Sequence, residues 1–158
     1  MIVFPQHSKL SFAFEDTIPS ESILSPAEQS IFKALKNQKK KNEFLLGRSA
    51  GKKAIKKLLA NQQNIEILKG ELGEPIFPDD LIGSIAHTNG IAVAVVGLAS
   101  KYRELGIDIE QNKPRSRSVQ SRIANETEQA WIANDPQKEL MLFSAKESIF
   151  KCLSPIVR

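Results

Sequence analysis

The segment from Leu81 to Leu98 constrains this chain more than any other. Two strand-like apolar runs, Leu81 to Ala86 and Ile91 to Leu98, meet around Thr88-Asn89-Gly90. Asn-Gly supplies the positive-φ positions that a tight hairpin turn requires. An antiparallel hairpin is therefore expected. Ile91 to Ala99 is also the longest apolar stretch, at nine residues. A membrane helix needs about 20, so the run is read as a strand and no membrane span is expected.

The rest of the chain is read around this hairpin. Leu10 to Glu15 alternates loosely and predicts a strand. Ser25-Pro26-Ala27-Glu28 is a helix start, with Ser at the N-cap, Pro at the first position and an acid in the first turn. That helix is expected to run into the Lys36 to Lys41 region. A second covers about Lys40 to Ala60, with Phe44, Leu45, Ala54, Ile55, Leu58 and Leu59 at helical spacing. Ile65 to Leu68 predicts a short strand, and Gly70, Gly73, Pro75 and Pro78 an irregular loop. Leu105 to Glu110 predicts a third strand, and Gln111 to Ser118, with Pro114, a loop. Glu126 to Asn134 is a helix stopped by Asp135-Pro136, and a last helix runs from about Gln137 to Leu153. Helices, then a meander of strands, then helices give an α+β fold, an antiparallel sheet with packed helices.

Charge is unevenly placed. From Lys33 to Lys57 there are ten basic residues and one acid, Glu43, a net of +9. The remainder holds 12 basic and 17 acidic residues, a net of −5. A basic element on a mildly acidic body suits a polyanion: nucleic acid, a phosphorylated ligand or an acidic protein. On charge alone it equally fits a solvated lysine-rich helix. With one Trp and one Tyr, stacking platforms for single-stranded nucleic acid are scarce. Cys152 is the single cysteine. It excludes an internal disulfide and a Cys-based zinc site, and a reducing, cytoplasmic setting is expected. The opening Met-Ile-Val-Phe-Pro lacks the basic region and apolar core of a secretory signal.

Four groups of residues carry candidate chemistry. In Gly106-Ile107-Asp108-Ile109-Glu110, strand alternation puts Asp108 and Glu110 on one face, roughly 6.6 Å apart along the chain. Two carboxylates so placed suit Mg²⁺, a hard cation that keeps several waters. The pentapeptide alone also fits an amphipathic strand with a wet acidic face. Glu147 and Lys151 are i,i+4 neighbours on the last helix, which by itself fits an ordinary surface ion pair. His87 sits beside the hairpin turn, placed to donate to a phosphate or to serve a structural role. Lys40 and Arg48 lie about 12 Å apart along a helix axis and about 80° around it, a spacing suited to one extended anion. No P-loop or dinucleotide-binding glycine pattern is present.

In order, these motifs are Lys40-Lys41-Asn42-Glu43-Phe44-Leu45-Leu46-Gly47-Arg48, Ile67-Leu68-Lys69-Gly70 with Gly73-Glu74-Pro75-Ile76-Phe77-Pro78, Gly83-Ser84-Ile85-Ala86-His87, Gly106-Ile107-Asp108-Ile109-Glu110, and Phe143-Ser144-Ala145-Lys146-Glu147-Ser148 with Lys151. The series, over roughly residues 40 to 153, resembles the larger 4′-phosphopantetheinyl transferases of the Sfp/EntD type, with the closer likeness to the enterobactin synthetase component D branch.

The resemblance implies transfer of the 4′-phosphopantetheine arm of coenzyme A to a serine of an apo acyl- or peptidyl-carrier protein, releasing adenosine 3′,5′-bisphosphate. Siderophore or other secondary-metabolite biosynthesis is the setting it suggests. Asp108, Glu110 and Glu147 match Mg²⁺-binding acids. Glu147 is also the candidate base, and Lys151 the residue that neutralises the departing phosphate. Lys40, Arg48 and His87 match positions that hold the nucleotide and its 3′-phosphate, while Lys69 and Glu71 match the loop lining the adenine. Lys40 stands where Arg is common, and Ala86 where Ser or Thr is common. The family fold is a pseudo-two-fold pair of lobes, which places a first lobe at 1–110 and the start of a second at 111–158. Family members usually continue with further strands, so a truncated second lobe is expected. Leu142, Phe143, Ile149, Phe150 and Leu153 would then be exposed, with either self-association through the last helix or loose placement of that helix as the expected outcome. A truncated relative that binds coenzyme A without transferring, or a basic nucleic-acid-binding module, are the alternatives.

Overall fold

A computed structural model describes residues 9–60, 64–112 and 123–157. The opening five residues and most of the expected loop from Gln111 to Ser118 lie outside the described residues.

The chain forms β1 (Leu10–Glu15), a short 3-10 helix (Glu21–Ile23), α1 (Pro26–Ala34), α2 (Gln38–Leu58), β2 (Leu68–Lys69), β3 (Pro75–Ile76), β4 (Leu81–Thr88), β5 (Ile91–Leu98), α3 (Glu126–Ile132) and α4 (Pro136–Leu153). β1, β5 and β4 make an antiparallel sheet with β5 in the middle. The architecture is α+β, as the sequence predicts. Asn89 and Gly90 take φ of 40° and 82°, so both central turn residues occupy the region a type I′ hairpin demands. β5 is buried over six of its eight residues, which explains why it reads as a continuous apolar run instead of alternating.

Capping residues set the helix limits. Ser25 caps α1 in a reciprocal box with Glu28, and Pro26 opens the helix. The expected continuation of this helix through Lys36 to Lys41 does not occur. Asn37 accepts the Lys40 N–H at 2.8 Å and starts α2 afresh. Likewise Asp135-Pro136 does not stop α3 but opens α4, with Asp135 accepting from Gln137 and Lys138. The stop comes from Ala133 and Asn134, both at positive φ.

Two strand expectations fail. Ile65 to Leu68 forms strand only from Leu68 onward; Ile65 and Ile67 sit in the core, and the Ile67 N–H donates to Glu28 Oε1 instead of to a neighbouring strand. Leu105 to Glu110 forms no strand. It lies against α4, and a Cβ placed on Gly106 would sit 1.9 Å from the Ser148 carbonyl oxygen.

The core is the seam between α2 and the sheet. Leu46, Ala50, Ala54 and Ile55 of α2 pack on Ala13, Leu81, Ala92, Ala94 and Val96, with Ile67 and Phe77 closing the side. A smaller cluster of Leu24, Phe32, Phe44 and Leu45 joins α1 to α2. The approach is close: a Cβ on Gly51 would meet Ile67 Cδ1 at 2.5 Å. Glu15 projects from β1 into this seam. It accepts from the Ser49 hydroxyl and pairs with Lys53 Nζ at 2.7 Å.

Two outcomes are expected. Gly51→Ala trades about 1 kcal/mol of helix propensity against an overpacking cost of about 1–3 kcal/mol. It should therefore lower stability slightly in denaturant unfolding. Ile67→Val removes the clashing Cδ1, so in that background Gly51→Ala should become stabilising. Burial pushes the Glu15 carboxyl up, but the bonds from Lys53 and Ser49 together outweigh it and hold it below its ordinary value of 4.5. A depressed acid contributes stability that is present above the unfolded value and lost as pH falls through the folded one. Unfolding free energy should thus decline below pH 4.5, and Glu15→Gln should flatten that part of the profile.

Candidate functional site

One stripe of α2, consisting of Lys40, Glu43, Phe44, Gly47 and Arg48, follows helical spacing and forms one wall of a cavity of about 270 Å³. Leu35, at the end of α1, and Lys69, Gly73, Pro75, Ile85 and His87 complete its lining. His87 pairs across the sheet with Ala92, which also faces Glu15. Its side chain therefore leaves on the face that α2 covers. Its Nδ1 lies 3.8 Å from Glu43 Oε1. Lys40, Arg48, Lys69 and His87, separated by up to 47 positions in sequence, are thus gathered around one space. Glu71 does not join them. It is exposed in the turn between β2 and β3, outside the lining.

Arg48 is the buried member, at 6% exposure. Its Nη2 donates to the Leu68 carbonyl at 2.8 Å, and its guanidinium stacks 4.3 Å over the Phe44 ring. Burial pushes its pKa down to about 10, with Glu28 partly opposing, so it stays charged at neutral pH. The remaining cations of α2 fan around the helix. Lys52 pairs with Glu28 at 2.5 Å, Lys53 with Glu15, and Lys57 donates to the Phe12 carbonyl. The +9 segment is therefore partly an internal ion-pair system and not one solvated face.

A second cavity of about 450 Å³ shares Gly73, Pro75 and Ile85 with the first and extends to Glu104, Phe150, Lys151, Ser154 and Pro155. Burial raises the Glu104 carboxyl, and Arg103 opposes this more weakly. Lys151 Nζ reaches Asp108 Oδ1 at 2.7 Å and the Ile107 carbonyl at 3.3 Å. The Asp108 side chain is only 6% exposed, which overturns the expected wet strand face. Asp108 Oδ2 is buried without a hydrogen-bond partner. Glu147 lies one turn before Lys151, half-buried, and Glu110 is half-buried and engaged in an interaction of its own. Among the described residues no three His, Cys, Asp or Glu side chains converge as a metal set, so Asp108, Glu110 and Glu147 do not form a ready-made cage. The orphaned Asp108 oxygen still fits one position of a hard cation. Mg²⁺ characteristically takes one or two carboxylates and completes its shell with water and substrate phosphates.

Lys146, in the same motif, serves a different end. It binds Glu128 and the Ile123 carbonyl, both at 2.6 Å, and so ties α4 to the start of α3. Ile149, Phe150 and Leu153 are exposed, as is Met141, while Leu142 and Phe143 are half-buried. Glu28 was missed as a site residue. The sequence marks it as an N-terminal helix acid, which is ordinarily exposed, yet it is fully buried. No helix among the described residues is long and apolar enough to cross a membrane.

The contact at Gly106 is with backbone, which has no rotamer by which to yield. Gly106→Ala should displace the Asp108 segment from α4 and break the Lys151 bond. Hydrogen exchange over residues 140–153 should rise, while the amides of β4 and β5 remain protected.

Comparison with known proteins accords with this geometry. Residues 27–97 match the model of the 4′-phosphopantetheinyl transferase N-terminal domain, and residues 104–158 that of the 4′-phosphopantetheinyl transferase superfamily. The chain is 30% identical over 160 aligned positions to the 4′-phosphopantetheinyl transferase Svp of Streptomyces mobaraensis, covering 98% of this chain and 64% of that protein. It is 33% identical to PptT of Mycobacterium tuberculosis (76% of this chain, 54% of that protein) and 31% identical to enterobactin synthase component D of Salmonella austin (74% and 49%). It therefore spans from about half to just under two thirds of the length of these relatives. Identities of 30–33% to all three do not separate one branch from another. With both models matched in succession, the chain belongs to the 4′-phosphopantetheinyl transferase superfamily.

Proposed function

We propose that this chain transfers the phosphopantetheine arm of coenzyme A to a serine of an apo acyl- or peptidyl-carrier protein. The observation that carries this reading is the convergence of Lys40, Arg48, Lys69 and His87 on one cavity whose walls continue to Lys151. At about 270 Å³, the first cavity has room for part of a coenzyme-sized ligand, and the shared Gly73–Pro75 wall leads the remainder toward α4.

In this reading Lys40, Arg48 and His87 hold the nucleotide phosphates, with Lys69 beside the adenine. The serine Oγ attacks the phosphorus that carries the pantetheine arm, the pyrophosphate P–O bond breaks, and adenosine 3′,5′-bisphosphate leaves. Glu147 takes the serine proton, directly or through a water. Lys151 Nζ, steadied by Asp108, neutralises the charge that grows on the departing phosphate. Asp108, Glu110 and Glu147 are the residues that would hold Mg²⁺, which when bound supplies further charge neutralisation at the pyrophosphate. An acidic carrier protein is drawn to the lysines of α2. Lys52 being turned inward to Glu28 and Lys53 being paired with Glu15 counts against a nucleic-acid surface. The exposed Met141, Ile149, Phe150 and Leu153 support association through α4, which light scattering measures.

The test is incubation with coenzyme A, Mg²⁺ and an apo carrier protein, followed by intact mass. A carrier that gains the arm's mass is expected; an unmodified carrier beside tight coenzyme A binding would leave the reading of a non-transferring relative. Asp108→Ala and Glu147→Ala should each lower transfer at least about 100-fold with the fold retained. Coenzyme A should raise the thermal midpoint more than dephospho-coenzyme A does, through mass action on the folded state. Lys40→Ala and His87→Ala should shrink that difference.

A further inference from the structure

Glu28 is fully buried, and its two oxygens divide their work. Oε2 accepts the Ser25 N–H at 2.8 Å and Lys52 Nζ at 2.5 Å, both on the side of α1 and the rear of α2. Oε1 accepts the Ile67 N–H at 2.9 Å and lies 4.0 Å from Arg48 Nε. That Nε is buried without a hydrogen-bond partner, so the Glu28 charge is the compensation it has on this side. The other end of the same guanidinium holds the Leu68 carbonyl, next to Lys69. One carboxylate thus fixes both the arginine and the chain segment leading to the lysine on the opposite cavity wall.

We infer that Glu28 is a positioning residue for the anion-binding cavity, holding the Arg48 guanidinium and the Ile67–Lys69 segment in register although it does not itself line the cavity. Its role there rests on the coenzyme A reading above. A long Arg side chain released from Glu28 has several rotamers open to it, and holding it in one lowers the entropic cost of closing on a ligand. The inference predicts an effect opposite in sign to simple electrostatics. Removing a negative charge beside a cation should strengthen anion binding. Loss of positioning should weaken it.

The experiment titrates the full chain with adenosine 3′,5′-bisphosphate by calorimetry. Lys52→Met removes one of the two Oε2 partners and the bond to the Ile23 carbonyl, leaves both Oε1 contacts in place, and should bind within twofold of the unaltered chain. Glu28→Gln/Lys52→Met removes both buried charges together, so no lone lysine is stranded, and should bind at least tenfold more weakly. Equal or tighter binding by the double variant than by Lys52→Met overturns the inference. If the double variant does not fold, Glu28→Asp decides: it keeps the charge but draws it back by one methylene. Weaker binding than the unaltered chain is expected, and unchanged binding overturns the inference. If the unaltered chain does not bind the bisphosphate, the coenzyme A reading fails. The Arg48 Nε–H resonance then decides the positioning role alone. Slow exchange in the unaltered chain and in Lys52→Met, lost in the Glu28 variants, supports it; slow exchange retained in the Glu28 variants overturns it.

Discussion

The structure depends on how closely α2 lies on the sheet. Small residues make that approach possible: Ala50, Gly51 and Ala54 on the helix, and Ala13, Ala92 and Ala94 on the strands. A helix this near the sheet brings its flanking stripes within reach of both sheet edges. Toward β4, the stripe from Lys40 to Arg48 closes over Ile85 and His87 and leaves the basic cavity. Toward β1, Ser49 and Lys53 meet Glu15. The cavity is therefore a consequence of core packing, and a residue larger than glycine at 51, which lies outside the lining, would alter the site without touching a ligand.

Burial also decides what the charges do. Ion pairs at a surface contribute little, whereas stranding one member of a buried pair is costly, at about 3–5 kcal/mol. Glu28 with Lys52 and Arg48 is of the second kind, whereas Glu15, itself buried, meets a Lys53 that stays half in solvent. Glu28 keeps Lys52 largely out of solvent and fixes Arg48 at the cavity edge. Outside these pairs, exposed lysines sit at both ends of α2, Lys39 and Lys40 at its start and Lys56 and Lys57 in its last turn.

Much of this was legible in the sequence where local chemistry decides structure. Asn89-Gly90 announces its turn, Ser25-Pro26 its helix start, and β1 and β5 their own extents. The cavity residues were legible by motif order, and helix geometry alone placed Lys40 and Arg48 on neighbouring faces. What failed was set by distant partners. Leu105 to Glu110 has the alternation of a strand, but its backbone packs closely on Ser148 and accepts a hydrogen bond from Lys151, some 40 residues later. The wet acidic face imagined for Asp108 disappears for the same reason. Glu28 carries an N-terminal helix signature that says nothing of burial, since the groups enclosing it come from positions 48, 52 and 67.

The order β1-β5-β4 bears on how the chain is made. Leu10 pairs with Gly97 and Glu15 with Ala92, so the first strand to be synthesised waits for nearly the last of the sheet. At about 5–20 residues per second, that interval is on the order of 4–17 s. The β4–β5 hairpin, with its two-residue turn, closes in microseconds once its second arm exists. Through the interval α2 has an apolar stripe and no sheet to cover it, and β1 has an open edge. The nascent chain is then most exposed to wrong partners, and the hairpin ends that exposure by giving both of them a place to dock.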